Sequence, residues 1–317
     1  MMLELNEKKI RKGKPIGLPY QGSKKKISKK IVEIIKQNFG TEKPIYDIFG
    51  GGGAITAECL INGLEVHYND LDRTITDMFQ KVVSEDRDYL KTLIISRDEF
   101  FRIRVKENKT IDDNLKLLVN SFGNNKRSYL YSEELSDSKY DLAVEIIKKY
   151  DAFDGYRKTE AYLGAEDIFK DQTYQKPQQD RLDRLQQLQR LQQLERLQQL
   201  ERLQQLERLQ QLGRLQQAEA TNFDYTEFSG VENAILYLDP PYQNTELDGY
   251  SIKYFDNQSF YDWAYEMSKK NIVLISSYEI SDERFKCVYE FKNAKSTLAP
   301  NGAGKKTEKL FMVKKRG

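Results

Sequence analysis

The stretch Ile235-Leu236-Tyr237-Leu238-Asp239-Pro240-Pro241-Tyr242 decides how this chain folds. Four apolar residues read as a buried strand. The two prolines have no N–H to give to a sheet, so the strand must stop there. Asp239 and Tyr242 are then presented at a strand's carboxyl end, the edge of an open α/β sheet where ligands bind. An ordinary exit from strand to turn would read the same way, so the choice falls to the rest of the chain.

Downstream, residues 256–270 carry Phe260, Trp263, Ala264 and Met267 on one helical face, and Asn271 to Ser276 is another buried strand. Phe285 to Phe291 and Lys309 to Val313 read as late strands, separated by a Gly-, Pro- and Lys-rich loop from Thr297 to Lys306. Upstream, Pro44 to Phe49 is a short strand that runs into Gly50-Gly51-Gly52-Gly53-Ala54 and a helix from about Ile55 to Asn62. Glycines let backbone turn sharply and approach a ligand. The spacing is not Gly-x-Gly-x-x-Gly, so the dinucleotide fingerprint is absent. Leu64 to Tyr68 makes a second strand ending in Asn69-Asp70, an acid placed where nucleotide-binding folds grip ribose hydroxyls; a helix cap would suit Asp70 equally. Pro15 to Lys24 is a loop ahead of a helix marked by Ile27, Ile31, Ile34 and Ile35, with Ser23 as its expected cap. Gly22 and the amides after it suit an anion, but on these residues alone a plain Gly-Ser entry into the helix is the better reading.

Between the two groups of strands, residues 72 to about 170 lack strand–helix alternation and show helical patterns near 72–84, 86–106, 112–121 and 138–150. Ser121 to Tyr129 interrupts them with a loop of amide, arginine and aromatic groups, which can read base edges or stack on bases. Residues 184–219 are six copies of Arg-Leu-Gln-Gln-Leu-x, with Ala218 the one break in the leucine pairs. A leucine every third residue winds around an α-helix and leaves no lasting stripe, so the segment is neither a heptad coiled coil nor a strand. Its residue types favour helix. The reading is an expanded low-complexity insertion, helical or partly disordered, with a self-association or partner-binding arm as the functional alternative.

At 317 residues the chain can bury a large core, and its net charge of +2 says little about partners. The distribution says more: lysines and arginines crowd residues 8–30 and 305–316, a phosphate-facing surface if the ends meet and a solvated one if not. Two cysteines in unrelated contexts, Cys59 and Cys287, argue against disulfides and zinc. His67 is the one histidine, which excludes a histidine-based triad or a multi-histidine metal site. No long uncharged apolar run and no apolar leader are present, so the expectation is a cytoplasmic protein away from membranes and without a metal.

Phe49-x-Gly51-x-Gly53 followed far downstream by Asp239-Pro240-Pro241-Tyr242 resembles the S-adenosylmethionine-dependent DNA adenine-N6 methyltransferases, and within them the Dam-type branch. Tyr20-Gln21-Gly22-Ser23-Lys24 is similar to that branch's N-terminal motif, Asn69-Asp70 to its ribose-binding acid, and Asp224-Tyr225 to its short acid–aromatic motif. The glycine turn departs by one extra glycine, and the hexamer sits just before the catalytic strand.

The resemblance implies an α/β fold: a Rossmann-like sheet, mostly parallel with an antiparallel late strand, a mainly helical target-recognition domain and the helical insertion. The expected domains are 1–85 and 222–317 for catalysis, 86–172 for recognition and 173–221 for the repeat. It implies S-adenosylmethionine as cofactor, held by Tyr20, Lys24, Asp47, Phe49, Gly51, Gly53, Asp70, Asp224, Tyr225 and Asp239. Asp239, Pro240 and Tyr242 would be catalytic. Asn124, Asn125, Lys126, Arg127 and Tyr129 are the candidates for touching duplex DNA, GATC being the family-level expectation for the site. The expected protein is a monomer, with a cognate restriction endonuclease as the implied partner. RNA or protein-amide methylation, and non-catalytic DNA binding, are the alternatives.

Overall fold

The computed structural model describes residues 2–20, 22–163, 195–213, 220–241, 255–295 and 307–314. Tyr242 and Gln21, and the repeat outside 195–213, lie outside the described residues. The chain divides into two compact units, Met1–Glu85 with Arg208–Gly317, and Asp86–Glu207. None of the described helices is long and apolar enough to cross a membrane.

The first unit is a seven-stranded sheet. Its strands are β1 (Ile45–Asp47), β2 (Val66–Asn69), β3 (Ala220–Thr221), β4 (Ile235–Leu238), β5 (Ile272–Ser277), β6 (Phe285–Lys295) and β7 (Thr307–Val313). They lie in the order β3-β2-β1-β4-β5-β7-β6. The first five are mutually parallel, and β7 is antiparallel to both neighbours. This is the mostly parallel Rossmann-like sheet with an antiparallel late strand that the motifs led us to expect. β3, just past the repeat, had no signal of its own: two residues carry no periodicity.

The quoted strand is central, between β1 and β5, and period-two alternation splits its side chains between two cores. Ile235 and Tyr237 join Ile31, Ile34 and Ile35 of α1 (Ser28–Phe39) and Ile55 and Cys59 of α2 (Ala54–Ile61). Leu236 and Leu238 pack on the other face, in the cluster that holds Phe260, Ala264 and Met267 of the helix Asn257–Met267. Covering both faces explains why β4 reads as continuously apolar rather than alternating. Strand order reverses between β1 and β4, so their carboxyl ends flank a crevice.

Two caps differ from expectation. Ser23 caps the 3-10 turn Lys24–Lys26, and α1 begins one turn later at Ser28. Asp72, not Asp70, caps α3 (Arg73–Ser84). Asp70 is thereby released for the crevice.

The second unit contains α4 (Arg87–Lys91), α5 (Arg97–Arg104), α6 (Ile111–Asn120) and α7 (Glu133–Tyr150). The helical pattern read over 86–106 is in fact two helices, broken at Thr92–Ser96. The repeat forms α8 (Gln198–Gly213), and the division between units falls within it rather than setting the repeat apart as a body of its own. Leu197, Leu200, Leu203, Leu206, Leu209 and Leu212 are all buried. The three-residue spacing does wind leucine around the helix, as expected. Each of these leucines finds cover, together with Gln199, Arg202 and Gln210, while Glu201 and Gln211 stay exposed.

Candidate active site

At the β1 end, Asp47 is fully buried, and its Oδ2 accepts from Thr56 N at 3.1 Å and Thr56 Oγ1 at 2.7 Å. The acid thus satisfies an orphan amide in the first turn of α2, a cap supplied from the preceding strand. Its Oδ1 is buried without a hydrogen-bond partner. Burial pushes the Asp47 carboxyl up to about 7, against the pull of the Thr56 bonds.

The glycine turn follows. Gly51 has φ +48°, and a Cβ on it would lie 3.1 Å from the Tyr20 ring. Gly51 N donates to Asp70 Oδ2 at 2.8 Å, and Tyr68 Oη donates to Gly51 O at 2.6 Å. The end of β2 therefore clamps the turn through both peptide groups of one glycine. Asp70 Oδ1 also accepts from Asp72 N at 2.9 Å. A carboxylate offers about four lone-pair positions, so Asp70 keeps acceptor capacity for hydroxyl groups. Burial raises its pKa to about 6.

At the β4 end, Lys24 Nζ lies 2.7 Å from Asp239 Oδ2 and 3.9 Å from Glu308 Oε1. Ser276 Oγ donates to Glu308 at 2.8 Å. Tyr237, whose pKa burial and then Asp239 hold well above the ordinary value, is buried beneath. Tyr20, Lys24, Asp47, Phe49, Gly51, Asp70 and Asp239 all line one open cleft.

Other candidates lie elsewhere. Gly53 faces away from the cleft: it has φ +68°, and a Cβ would come within 2.2 Å of Phe79. Asp224 caps the 3-10 turn Tyr225–Gly230, accepting from Thr226 N at 3.0 Å. Tyr225 sits behind Phe49, ring centroids 6.1 Å apart, and edge-on to Trp263 at 5.0 Å. Pro240 is buried at the strand's exit.

Sequence reading missed Tyr237, Glu308 and Leu71. A lone tyrosine in an aliphatic strand was a usable signal, since a buried phenol calls for a polar neighbour. Glu308 gave none. Leu71 lines the cleft and is 45% exposed, next to Asp70.

In the helical unit, the loop after α6 is closed by the Ser121–Tyr129 bridge and by Phe122 N donating to Ser128 O at 2.7 Å. Asn124 and Lys126 have positive φ. Asn125 Oδ1 accepts from Arg127 N at 2.8 Å and Ser128 N at 3.1 Å, fixing the tip. Arg127 is exposed, and Asn124, Asn125 and Lys126 are half-buried. Tyr129 corrects an expectation. It is buried, with Oη donating to Ile95 O at 3.0 Å and its ring edge-on to Phe100 at 5.4 Å, so it cannot stack on a base. The aromatic that the loop exposes is Phe122, at 64%.

The site suits S-adenosylmethionine on two observations. Tyr20 and Tyr68 pack so close on the glycine turn that a Cβ there would displace them from the cleft wall, and four carboxyl groups line the cleft, one with an unpaired oxygen, which suits a donor that carries a sulfonium charge. Among the described residues no cluster of histidine, cysteine and acid groups could hold a metal ion.

Of solved structures, the chain is similar to the rRNA methyltransferase aviRa from Streptomyces viridochromogenes, at 10% identity and a TM-score of 0.36, over 90% of this chain and 84% of that one. No curated protein matches. The family model for the D12 class N6 adenine-specific DNA methyltransferases matches residues 20–299. The chain belongs to that class, a family of adenine-specific DNA methyltransferases whose methyl donor is S-adenosylmethionine.

Proposed function

We propose that this enzyme methylates the N6 amine of one adenine in a short sequence of duplex DNA, with the base turned out of the helix and the methyl group passed in line. The observation that carries this reading is the shared cleft: Asp239, at the end of β4, lines the same crevice as Gly51 and Asp70. The bound donor supplies an electrophilic methyl group. The chain's part is to make a poor nucleophile competent and aim it. The adenine amine is weak because its lone pair is delocalised into the ring. The Asp239 carboxylate and the Pro240 carbonyl accept its two N–H groups, which localises the lone pair and orients it. Lys24 Nζ, 2.7 Å from Asp239 Oδ2, fixes the carboxylate at the strand's end.

Tyr242 stacks on the extruded base and offsets part of the few kcal/mol that unstacking costs. Asp70 takes the donor's ribose hydroxyls. Phe49 and Gly51 line the turn beside it, and Tyr20 and Lys24 face the methionine end. Asp47 tunes that wall from beneath, Gly53 shapes it, and Asp224 and Tyr225 border the donor's adenine. Asn124, Asn125, Lys126 and Arg127 contact the DNA, GATC being the sequence proposed. Action as a monomer in the cytoplasm, alongside a restriction endonuclease of the same specificity, belongs to the same reading.

The test is incubation with methyl-labelled cofactor and, in separate reactions, unmethylated duplex DNA, RNA and total protein. Label should enter DNA and be recovered as N6-methyladenine. Label in RNA or protein alone would reject the reading.

The cleft acids also predict a pH dependence of stability. The Asp47 carboxyl at about 7 and Asp70 at about 6 stand above the ordinary carboxylate range. Between about pH 4 and about pH 7 the folded chain holds protons that the unfolded chain has released, so stability falls as pH rises through that window and levels off above it. Asp47→Asn has no such proton to lose. Its melting temperature should decline less than the wild type's between about pH 5 and about pH 8. Parallel declines in the two proteins would refute the assignment.

A further inference from the structure

The loop proposed to touch DNA springs from the end of α6, and that end is held by the hexamer repeat. Gln199 is fully buried. Its Nε2 donates to Asn120 Oδ1, to Tyr129 Oη at 3.2 Å and to Ile95 O at 3.4 Å. Asn120 is the last residue of α6, and Tyr129 is the far side of the bridge that closes the loop. One amide therefore ties both feet of the loop to each other and to the segment before α5. It does so with its own Oε1 buried and unpaired, a cost that packing alone would avoid. One turn on, Arg202 Nη1 donates to Leu118 O at 3.1 Å and Val119 O at 2.6 Å. A cation thus meets two of the orphan carbonyls at the negative end of α6. Arg202 is 8% exposed, and burial lowers its pKa to about 10.

We propose that Gln199 and Arg202 are positioning residues for target recognition, setting the feet of the 121–129 loop from the repeat. The proposal rests on the reading that this loop touches DNA. It assigns the repeat a part in recognition, where its composition alone suggests padding. The repeat also makes the device tolerant of copy number. Every pair of adjacent copies offers a glutamine and an arginine three residues apart, as Gln193 and Arg196 or Gln205 and Arg208 do. Removing residues 190–195, 196–201 or 202–207 yields one and the same chain. In that chain the hexamers nearest β3 keep their sequence and their distance from the sheet, so both places stay filled.

The experiment uses the full chain and six variants: Gln199→Leu, Gln199→Asn, Arg202→Met, Arg202→Lys, the double variant Lys126→Ala/Arg127→Ala, and the chain lacking residues 190–195. Circular dichroism melting and cofactor affinity verify folding. Gln199→Leu and Arg202→Met should raise KM for DNA about tenfold, keep kcat at saturating DNA within about threefold, and spread methylation to sequences that the parent ignores. Arg202→Lys should recover most of the loss, since an ammonium can donate to the same two carbonyls. The six-residue deletion should match the parent. Folded Gln199→Leu and Arg202→Met with parental KM and site choice would overturn the proposal, provided the Lys126/Arg127 variant changes both. If that double variant is also unchanged, the reading of the loop itself falls. Should the two substitutions prevent folding, Gln199→Asn decides, its amide one methylene short of Asn120, Tyr129 and Ile95: a raised KM for DNA with relaxed site choice supports the proposal, and parental values in the folded variant overturn it.

Discussion

Asp239→Ala should lower the rate of methyl transfer at saturating DNA and cofactor by about a thousandfold or more, the scale seen when one preorganised polar contact to a transition state is removed. Cofactor affinity should change by less than about threefold, because most of the contacts proposed for the donor lie on other residues. The two readouts must be taken together. A collapsed cleft would lose both, whereas loss of the acceptor alone loses only the rate. Asp239→Asn should fall between, since its amide oxygen still accepts one N–H, without the charge that roughly doubles such a bond. The half-buried Lys24 would not be stranded by either change, as Glu308 lies 3.9 Å from its ammonium. Near-parental turnover in Asp239→Ala, or loss of cofactor binding along with activity, would each contradict the assignment.

Gly53→Ala should be the most damaging small substitution in the glycine turn. The residue has φ +68°, where an L side chain is strained, and the new methyl would sit 2.2 Å from a ring carbon of Phe79. Phe79 is buried against Tyr68, ring centroids 4.7 Å apart, so it has little room to yield. Strain and overpacking together should cost about 3 to 5 kcal/mol, which for a unit of this size lowers the melting temperature by roughly 10 °C. Gly53→Ala/Phe79→Leu should recover part of the loss, because the two sites share one contact. A melting temperature within a degree or two of the parent's would show that the turn relaxes freely.

The parts of the fold legible in advance were those written in two periods at once. Ile235 to Leu238 announced a strand covered on both faces, and the prolines marked where it stopped. Asp70 and Asp239 could be placed at strand ends because hydrophobic runs broke just before them, whereas Asp47 read as mid-strand because Ile48 and Phe49 carry the apolar run past it. What could not be read was contact across the sheet. Nothing near Lys24 in sequence points to Asp239 or Glu308, which meet it only because the Lys24–Lys26 turn, the end of β4 and the start of β7 come together. Tyr129 misled because an aromatic beside Arg127 suggests a stacking surface, while burial depends on Phe100 and Ile95 from another helix and its approach. The repeat misled for a different reason. Spacing of three leaves no single apolar stripe, yet each leucine from 197 to 212 is buried.

The most direct test of the central claim is single-molecule mapping of modified bases in DNA from cells that express either the parent chain or Asp239→Ala. With the parent, N6-methyladenine should occupy one adenine of a single short sequence at nearly every occurrence, and with Asp239→Ala the same positions should be unmodified. Equal methylation by both chains, or none by the parent when it is folded and binds its cofactor, would contradict the account.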